Sequence, residues 1–432
     1  MAPKVIDNQS YTGDSENDNV HYLSKVEPFD INNPAPIPAH QFPDKVSNSI
    51  KPAKTQRNAE YMFQAYDIKV QYDVIRKDIK ISIVGFKSCS DVADNSALIY
   101  LASLANLNGI YSGLFDKYIY AIAAKNPFNS VLEWIKDKPW DGQDRLKAMC
   151  NTISTQEDFN EHCKQHLMQK WFLSAIAAIT LERGFSCRGV LTLQGAQSIG
   201  KTRWIRKLIS EPALADDVIK IDHHLDASNK DSIISATRHW IVEIGELDSS
   251  LKKDVARLKG FITSDKDKVR LPYDRRDSEY PRRTVFAATV NTPNFLVDET
   301  GNTRWWVIPC VSIDHSHNID MQQFWAQMYH MYTTEEKHKQ YWLDDGVQDI
   351  LESQNKNYRT TTAIADLLST ELDIEVDKFQ WQKKTATEVL KMVGIERATN
   401  SQARECGAYL REHFGEPKKS SGSMKWLVPP TR

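Results

Sequence analysis

GVLTLQGAQSIGKTRWIRKLIS, residues 189–210, holds an apolar run, a glycine-bounded loop and the start of a helix. VLTLQ is apolar without strict alternation, as a strand covered on both faces of a parallel sheet would be. GAQSIGKT (195–202) then matches the phosphate-loop pattern G-x-x-x-x-G-K-[ST] in its required context, strand in and helix out. Glycines let successive backbone N–H groups converge on phosphate oxygens, which the helix N-terminus also attracts. The expected nucleotide contacts are therefore Gly195, Ala196, Gln197, Ser198, Ile199, Gly200, Lys201 and Thr202. Lys201 is expected to hold the β- and γ-phosphates of ATP, and Thr202 to offer its hydroxyl to Mg²⁺.

The flanking segments continue the strand–helix alternation. RGVLTLQG, TRWIRKLIS, RHWIVEIGE, DVARLKGFIT, RRTVFAATVN and NTRWWVIP follow one another between residues 187 and 310, which reads as an α/β domain with a mainly parallel sheet. An ATPase of this kind needs an acid near the metal and another to orient water. HWIVEIGELD (239–248) supplies Glu243 and Glu246; either is able to face the nucleotide, and the assignment adopted puts Glu243 near Mg²⁺ and Glu246 as base. TVFAATVN (284–291) ends in Asn291, a candidate sensor of the γ-phosphate. DETGNTRWWVIP (298–309) places Arg304 between a turn and an apolar strand, where it is a candidate arginine finger toward a neighbouring subunit.

The 432 residues allow two or three domains. A hydrophobic fraction of 41% and a net charge of −2 are those of an ordinary globular chain, so any nucleic acid must be met by local basic patches. Six scattered cysteines without a CxxC pair, and a first stretch MAPKVIDNQS without an apolar core, fit a reducing cytoplasm. No apolar run reaches membrane-spanning length, and WFLSAIAAIT (171–180) has the length of a buried helix. Seven of the 17 prolines fall in the first 52 residues. Residues 1–60 are accordingly expected as an extended or disordered tail, 61–185 as a mostly helical domain, 186–335 as the ATPase domain, 336–380 as a linker or helical lid, and 381–432 as a DNA-binding module. Thr385 with Glu388 and Thr399 with Gln402 form capping-box patterns at the starts of two terminal helices.

NPFNSVLEWIKDKPWDGQDRL, GAQSIGKT, EIGELD, LKGFITSDKDKVRLPYDRR, PRRTVFAATVN and DETGNTRWWVIP, in that order over about residues 95–312, resemble the virulence-associated E (VirE-like) proteins of phages and mobile islands, a group related to superfamily 3 helicases of the AAA+ class. The resemblance implies a P-loop AAA+ fold and a hexameric ring in a bacterial host cell that hydrolyses ATP at subunit interfaces and moves along single-stranded or forked DNA during replication. Carried over residue by residue, it makes Lys201 and Thr202 Walker A, Glu243 and Glu246 the Walker B region, Asn291 sensor 1 and Arg304 the finger. Two departures stand out: the acids are spread over Glu243 and Glu246, and Thr303-Arg304 stands where many relatives have two arginines. The N-terminal 185 residues show no paired-carboxylate and histidine polymerase site, so a primase, where one acts, is a separate partner.

Segment 252–283 carries 11 Lys or Arg against 6 Asp or Glu, the local positive charge that releases counterions from phosphates. By the resemblance it forms a hairpin into the ring's pore, with Lys266, Lys268 and Arg270 gripping one strand and Tyr273 stacking on it. The tail, 380–432, has 10 Lys or Arg against 5 Asp or Glu in two helices and a basic hairpin, which resembles a winged helix with Arg404, Arg411, Lys418, Lys419 and Lys425 as DNA contacts. The leading expectation is an ATP-dependent DNA helicase. Alternatives are an origin-binding initiator or regulator that uses ATP for assembly, and a P-loop ATPase acting on protein partners.

Overall fold

The computed structural model describes residues 30–87, 93–245, 247, 251, 255–269, 278–296, 302–336, 340–420 and 422–432. The chain divides into two compact units, the first reaching Tyr72 and resuming over Asp78–Pro127, the second comprising Asp73–Lys77 and Phe128–Arg432.

In the first unit, α1 (Gln56–Ala65), α2 (Ala93–Leu107) and α3 (Phe115–Lys125) accompany β1 (Ile68–Asp73) and β2 (Asp78–Ile83), with β3 (Pro127–Phe128) completing a sheet of order β2-β1-β3. Met62, Phe63, Leu101, Phe115 and Ile119 form its core. Packing begins inside the stretch expected as a tail: Phe42 is buried, and the Asn58 amide donates to the carbonyls of Asp44 and Ala53, each at 2.7 Å. An aromatic side chain and an amide with satisfied partners order a segment that composition alone reads as loose.

The second unit starts with α4 (Ser130–Lys136), α5 (Leu146–Asn151), β4 (Ile153–Thr155) and the long α6 (Glu161–Thr180). The alternation expected from sequence follows as β5 (Val190–Gln194), α7 (Lys201–Arg206), α8 (Pro212–Val218), β6 (Ile219–His223), α9 (Lys230–Thr237), β7 (Ile241–Ile244), α10 (Val255–Ile262), the hairpin β8 (Lys266–Val269) and β9 (Ser278–Pro281), β10 (Val285–Val290) and β11 (Trp305–Ile313). The main sheet has the order β4-β11-β5-β10-β7-β6. Every pairing in it is parallel except that of β4 with β11. Counted along the chain, the five parallel strands lie in the order 5-1-4-3-2, so β10 stands between the strand leading into the glycine loop and the strand bearing Glu243. Their C-terminal ends open on one edge, where ligands bind in open α/β sheets.

The unusual number of tryptophans has a structural use here. Trp171, Trp204, Trp240 and Trp325 are each fully buried, and each indole N–H donates: to Phe286 O, Thr152 Oγ1, Ala175 O and Leu208 O respectively, at 2.7–2.9 Å. They supply large apolar area between sheet and helices without leaving a buried donor unpaired.

Beyond the sheet come α11 (Met321–Thr334), α12 (Asp345–Asn355), α13 (Ala363–Glu371), β12 (Gln382–Lys384), α14 (Ala386–Met392), α15 (Asn400–Phe414), β13 (Lys418–Ser420) and β14 (Ser423–Val428). Both expected capping boxes are present, at Thr385 and Thr399. β14 lies between β12 and β13, and Leu390, Leu410, Trp426 and Val428 form a separate core with Ile364 and Leu368. The latter two lie on α13, inside the stretch expected as a linker or helical lid, and the apolar face of that helix packs on α15. Among the described residues no helix is long and apolar enough to cross a membrane.

Burial pushes the imidazole of His239 down to about 4, although its Nδ1 lies 2.7 Å from Ser235 O. The unfolded chain keeps the ordinary value near ~6.5 and takes up the proton first as pH falls, so stability present above that pH is lost on descent toward the folded value. Urea unfolding is expected to show about 2 kcal/mol less stability at about pH 5 than at pH 7 from this group. The His239→Gln variant should show a flatter profile, and an identical slope in both proteins would exclude His239 as the source.

Candidate functional site

The glycine-rich loop runs from the end of β5 into α7 along the open edge of the sheet. Gly195 N–H donates to Val290 O at 3.1 Å, tying the loop to β10. A Cβ at Gly195 would lie 2.4 Å from the carbonyl oxygen of Cys310, so only glycine fits. Gly200 has φ 98°, and a Cβ there would stand 2.1 Å from the His315 ring. Gly195 is thus set by close approach, and Gly200 by close approach together with left-handed backbone. Ser198 also adopts positive φ (67°), a strained conformation of the type that gathers at ligand-binding loops.

Lys201 opens α7 and is buried, and its ammonium donates to Gly195 O and Ala196 O at 2.8 Å each and to Asn291 Oδ1 at 2.9 Å. Burial holds this ammonium below its ordinary value, with Glu243 among the groups pulling it back up. Beside it, Glu243 is fully buried on β7. Its Oε1 accepts from Thr202 Oγ1 at 2.6 Å and from Thr289 Oγ1 at 2.8 Å, and its Oε2 accepts from Asp222 N–H at 3.1 Å. Four expected residues, Lys201, Thr202, Glu243 and Asn291, therefore converge on one place. Glu246 lies outside the described residues.

Three residues of the site escaped the sequence reading. Thr289 precedes Asn291, the residue just past β10, by two, so strand periodicity continued over the strand end puts both on one face, and that spacing is a usable signal. Asp222, the penultimate residue of β6, has φ 51° and sends its carboxylate against Gly245, where a Cβ would meet Oδ1 at 2.3 Å. Its contribution to Glu243 is a backbone donor, invisible to side-chain motifs. His315 comes to Gly200 only because β11 lies beside β5.

Arg304 is elsewhere. Trp305 pairs with Val190 and Pro309 with Gln194, so Arg304 sits five rungs from the loop end of the sheet, roughly 17 Å along the strands. Its Nε is buried and without a hydrogen-bond partner among the described residues. On the hairpin, alternation exposes Lys266 and Lys268 and buries Asp267, which pairs with the fully buried Arg282 at 2.6 Å. The Arg282 guanidinium also lies over Phe261, 4.4 Å from the ring centre. Glu279 lies 2.9 Å from Lys266, whose ammonium this hydrogen bond raises, and 3.8 Å from Lys268. Arg270 and Tyr273 lie outside the described residues. In the C-terminal part, Arg404, Lys418 and Lys419 are exposed, while Lys425 is half-buried with Glu388 at 3.8 Å. Lys418 lies directly opposite Lys425 across the β13–β14 ladder.

A family description, the virulence-associated protein E-like domain, matches residues 135–360, just over half of the chain and all of the converging residues. The chain belongs to the virulence-associated protein E-like family. Solved structures of the NrS-1 C-terminal region are also similar: an A-form apo structure at 14% identity and TM-score 0.46, covering 86% of this chain and 98% of that one, and another apo structure at 12% identity and TM-score 0.37, covering 86% and 99%. Among curated proteins no match is found.

Removing one of the three donors to a buried carboxylate leaves part of its desolvation uncompensated. The isosteric Thr289→Val variant is therefore expected to lose about 1–3 kcal/mol of stability by urea unfolding. A midpoint equal to that of the parent would mean that Thr289 does not support Glu243.

Proposed function

We propose that the chain is an ATP-dependent DNA translocase acting in the replication of a phage or mobile genetic element. The observation that carries this reading is the convergence of Lys201, Thr202, Glu243 and Asn291 at the strand ends of a sheet ordered 5-1-4-3-2, the arrangement of P-loop AAA+ ATPases. Residues 195–202 would cradle the triphosphate through backbone N–H groups, three of whose residues, Ala196, Gln197 and Ser198, are exposed at the edge. Lys201 would exchange its carbonyl partners for β- and γ-phosphate oxygens, and Asn291, already within its reach, would report the γ-phosphate.

The donor set suits Mg²⁺. The Thr202 hydroxyl and Glu243 carboxylate are hard oxygen donors 2.6 Å apart, and among the described residues no group of three His, Cys, Asp or Glu side chains forms an all-protein metal cage. Mg²⁺ typically takes one or two protein oxygens, with substrate phosphates and water completing its shell. Bound there, it would neutralise charge developing on the phosphates. Glu243 would hold its water shell, and Glu246 would orient the attacking water.

Arg304 cannot serve the loop of its own subunit across ~17 Å of sheet. In this reading Arg304, whose Nε has no hydrogen-bond partner among the described residues, would act toward the nucleotide of a neighbouring subunit, as in a hexameric ring. DNA would meet Lys266, Lys268, Arg270 and Tyr273 on the hairpin, and Arg404, Arg411, Lys418, Lys419 and Lys425 on a C-terminal module. The helix–strand–helix–helix–hairpin order of α13 to β14 supports reading that module as a winged helix. Opposed Lys418 and Lys425 repel each other, a cost that a phosphate between them would offset. That feature also favours the second reading, an origin-binding initiator that uses ATP for assembly. The protein would act in the cytoplasm of a bacterial host, with any primase as a separate partner.

Lys201→Ala protein, folded by circular dichroism, should lose ATP turnover and displacement of a strand from forked DNA; undiminished displacement would sink the assignment. ATP turnover without strand displacement in the parent would select the initiator. Arg304→Ala should keep ATP binding and lose hydrolysis, and a fully active monomer would contradict the interface role.

A further inference from the structure

The loop after β11, Asp314-His315-Ser316-His317, belongs to none of the motifs considered so far, yet the sheet order brings it to the phosphate loop. β11 pairs with β5 in parallel, so both strands release their chains at the same edge. The His315 ring rests on Gly200, where a Cβ would stand 2.1 Å from Cδ2. His315 is half-buried, and its side chain makes no hydrogen bond or ring stack among the described residues. Two residues on, His317 is 6% exposed, and neither ring nitrogen has a hydrogen-bond partner among the described residues. Buried imidazole nitrogens are ordinarily paired, so two unpaired ones in one side chain point to a ligand.

The loop is rigidly placed. Asp314 N–H donates to Thr152 O at 2.8 Å, while Thr152 Oγ1 accepts the Trp204 indole N–H at 2.8 Å, so Thr152 links the loop to α7. Asp314 Oδ1 accepts from both the N–H and the hydroxyl of Ser316 at 3.1 Å, closing the turn. Lys207, which caps the C-terminal end of α7, is among the charges acting on His317. His315 thus stands at the phosphate end of α7, and His317 follows two residues further along the same loop.

We infer that the 314–317 loop seats the nucleobase of a purine nucleoside triphosphate, His315 offering its ring for stacking and His317 hydrogen-bonding the base edge. This rests on the reading of residues 195–202 as the triphosphate site and adds the part of the ligand that the phosphate loop cannot recognise. A neutral imidazole carries an N–H donor on one side of the ring and a lone pair on the other, so one of its nitrogens is able to meet a single donor or acceptor of a purine edge. Burial keeps the His317 ring below its ordinary value, hence neutral at neutral pH, with Lys207 acting in the same direction and Asp314 against it.

The test compares Mg²⁺-ATP with Mg²⁺-tripolyphosphate, which has the phosphates and lacks the base, by calorimetry on the full chain. His315→Ala should weaken ATP binding about tenfold and leave tripolyphosphate unchanged, and His315→Phe should restore ATP binding by keeping an aromatic face. His317→Phe, checked for an unaltered melting temperature, should likewise weaken ATP alone. Unchanged ATP affinity in both His315→Ala and His317→Phe would overturn the inference and leave the phosphate site standing. Equal weakening of both ligands would also overturn it, since the loop would then only buttress residues 195–202. If the parent protein binds neither ligand, the phosphate-site reading itself fails and the inference falls with it.

Discussion

A fully buried carboxylate is the constraint around which this molecule is organised. Glu243 has no access to water, and a buried acceptor-only group is tolerable only when donors surround it. Those donors come from three elements far apart in sequence: Thr202 at the start of α7, Thr289 near the end of β10, and the backbone of Asp222 at the end of β6. Only an order in which β10 and β6 flank β7 brings them together. The 5-1-4-3-2 arrangement and the charge at its centre are therefore two aspects of one solution, and the Lys201–Asn291 contact next to it follows from the same register.

The same accounting explains the surrounding shell. Four buried tryptophans join the sheet to its helices, and each spends its single polar atom on a backbone or hydroxyl acceptor. One of them, Trp204 on α7, bonds to Thr152, which also holds the loop carrying His315. The glycine loop is thus braced on both sides by groups that belong to packing as much as to chemistry.

Charge on the hairpin is less simple than its composition. Of the cations in 252–283, Arg282 is consumed by a buried pair with Asp267 and lies against Phe261, so it anchors the hairpin. Lys266 and Lys268 face water and share Glu279. Exposed pairs of this sort are worth little, so Glu279 leaves both lysines available to a stronger anion. A count of basic residues measured neither the anchor nor the partner.

Local spacing in the sequence determined a good deal by itself: the strand–loop–helix at 189–210, the apolar runs of the parallel strands, and the capping boxes at Thr385 and Thr399, because each depends on residues only a few positions apart. The convergence of Lys201, Thr202, Glu243 and Asn291 was foreseeable from strand-end positions. Tertiary structure alone decided the rest. Thr289 and the Asp222 backbone acquire their roles from neighbouring strands, His315 from the adjacency of β11 and β5, and α13 its place from a core shared with α15. Arg304 is separated from the glycine loop by the length of a strand. Such pairings join residues tens of positions apart, and no periodicity in the chain records which strand will lie beside which.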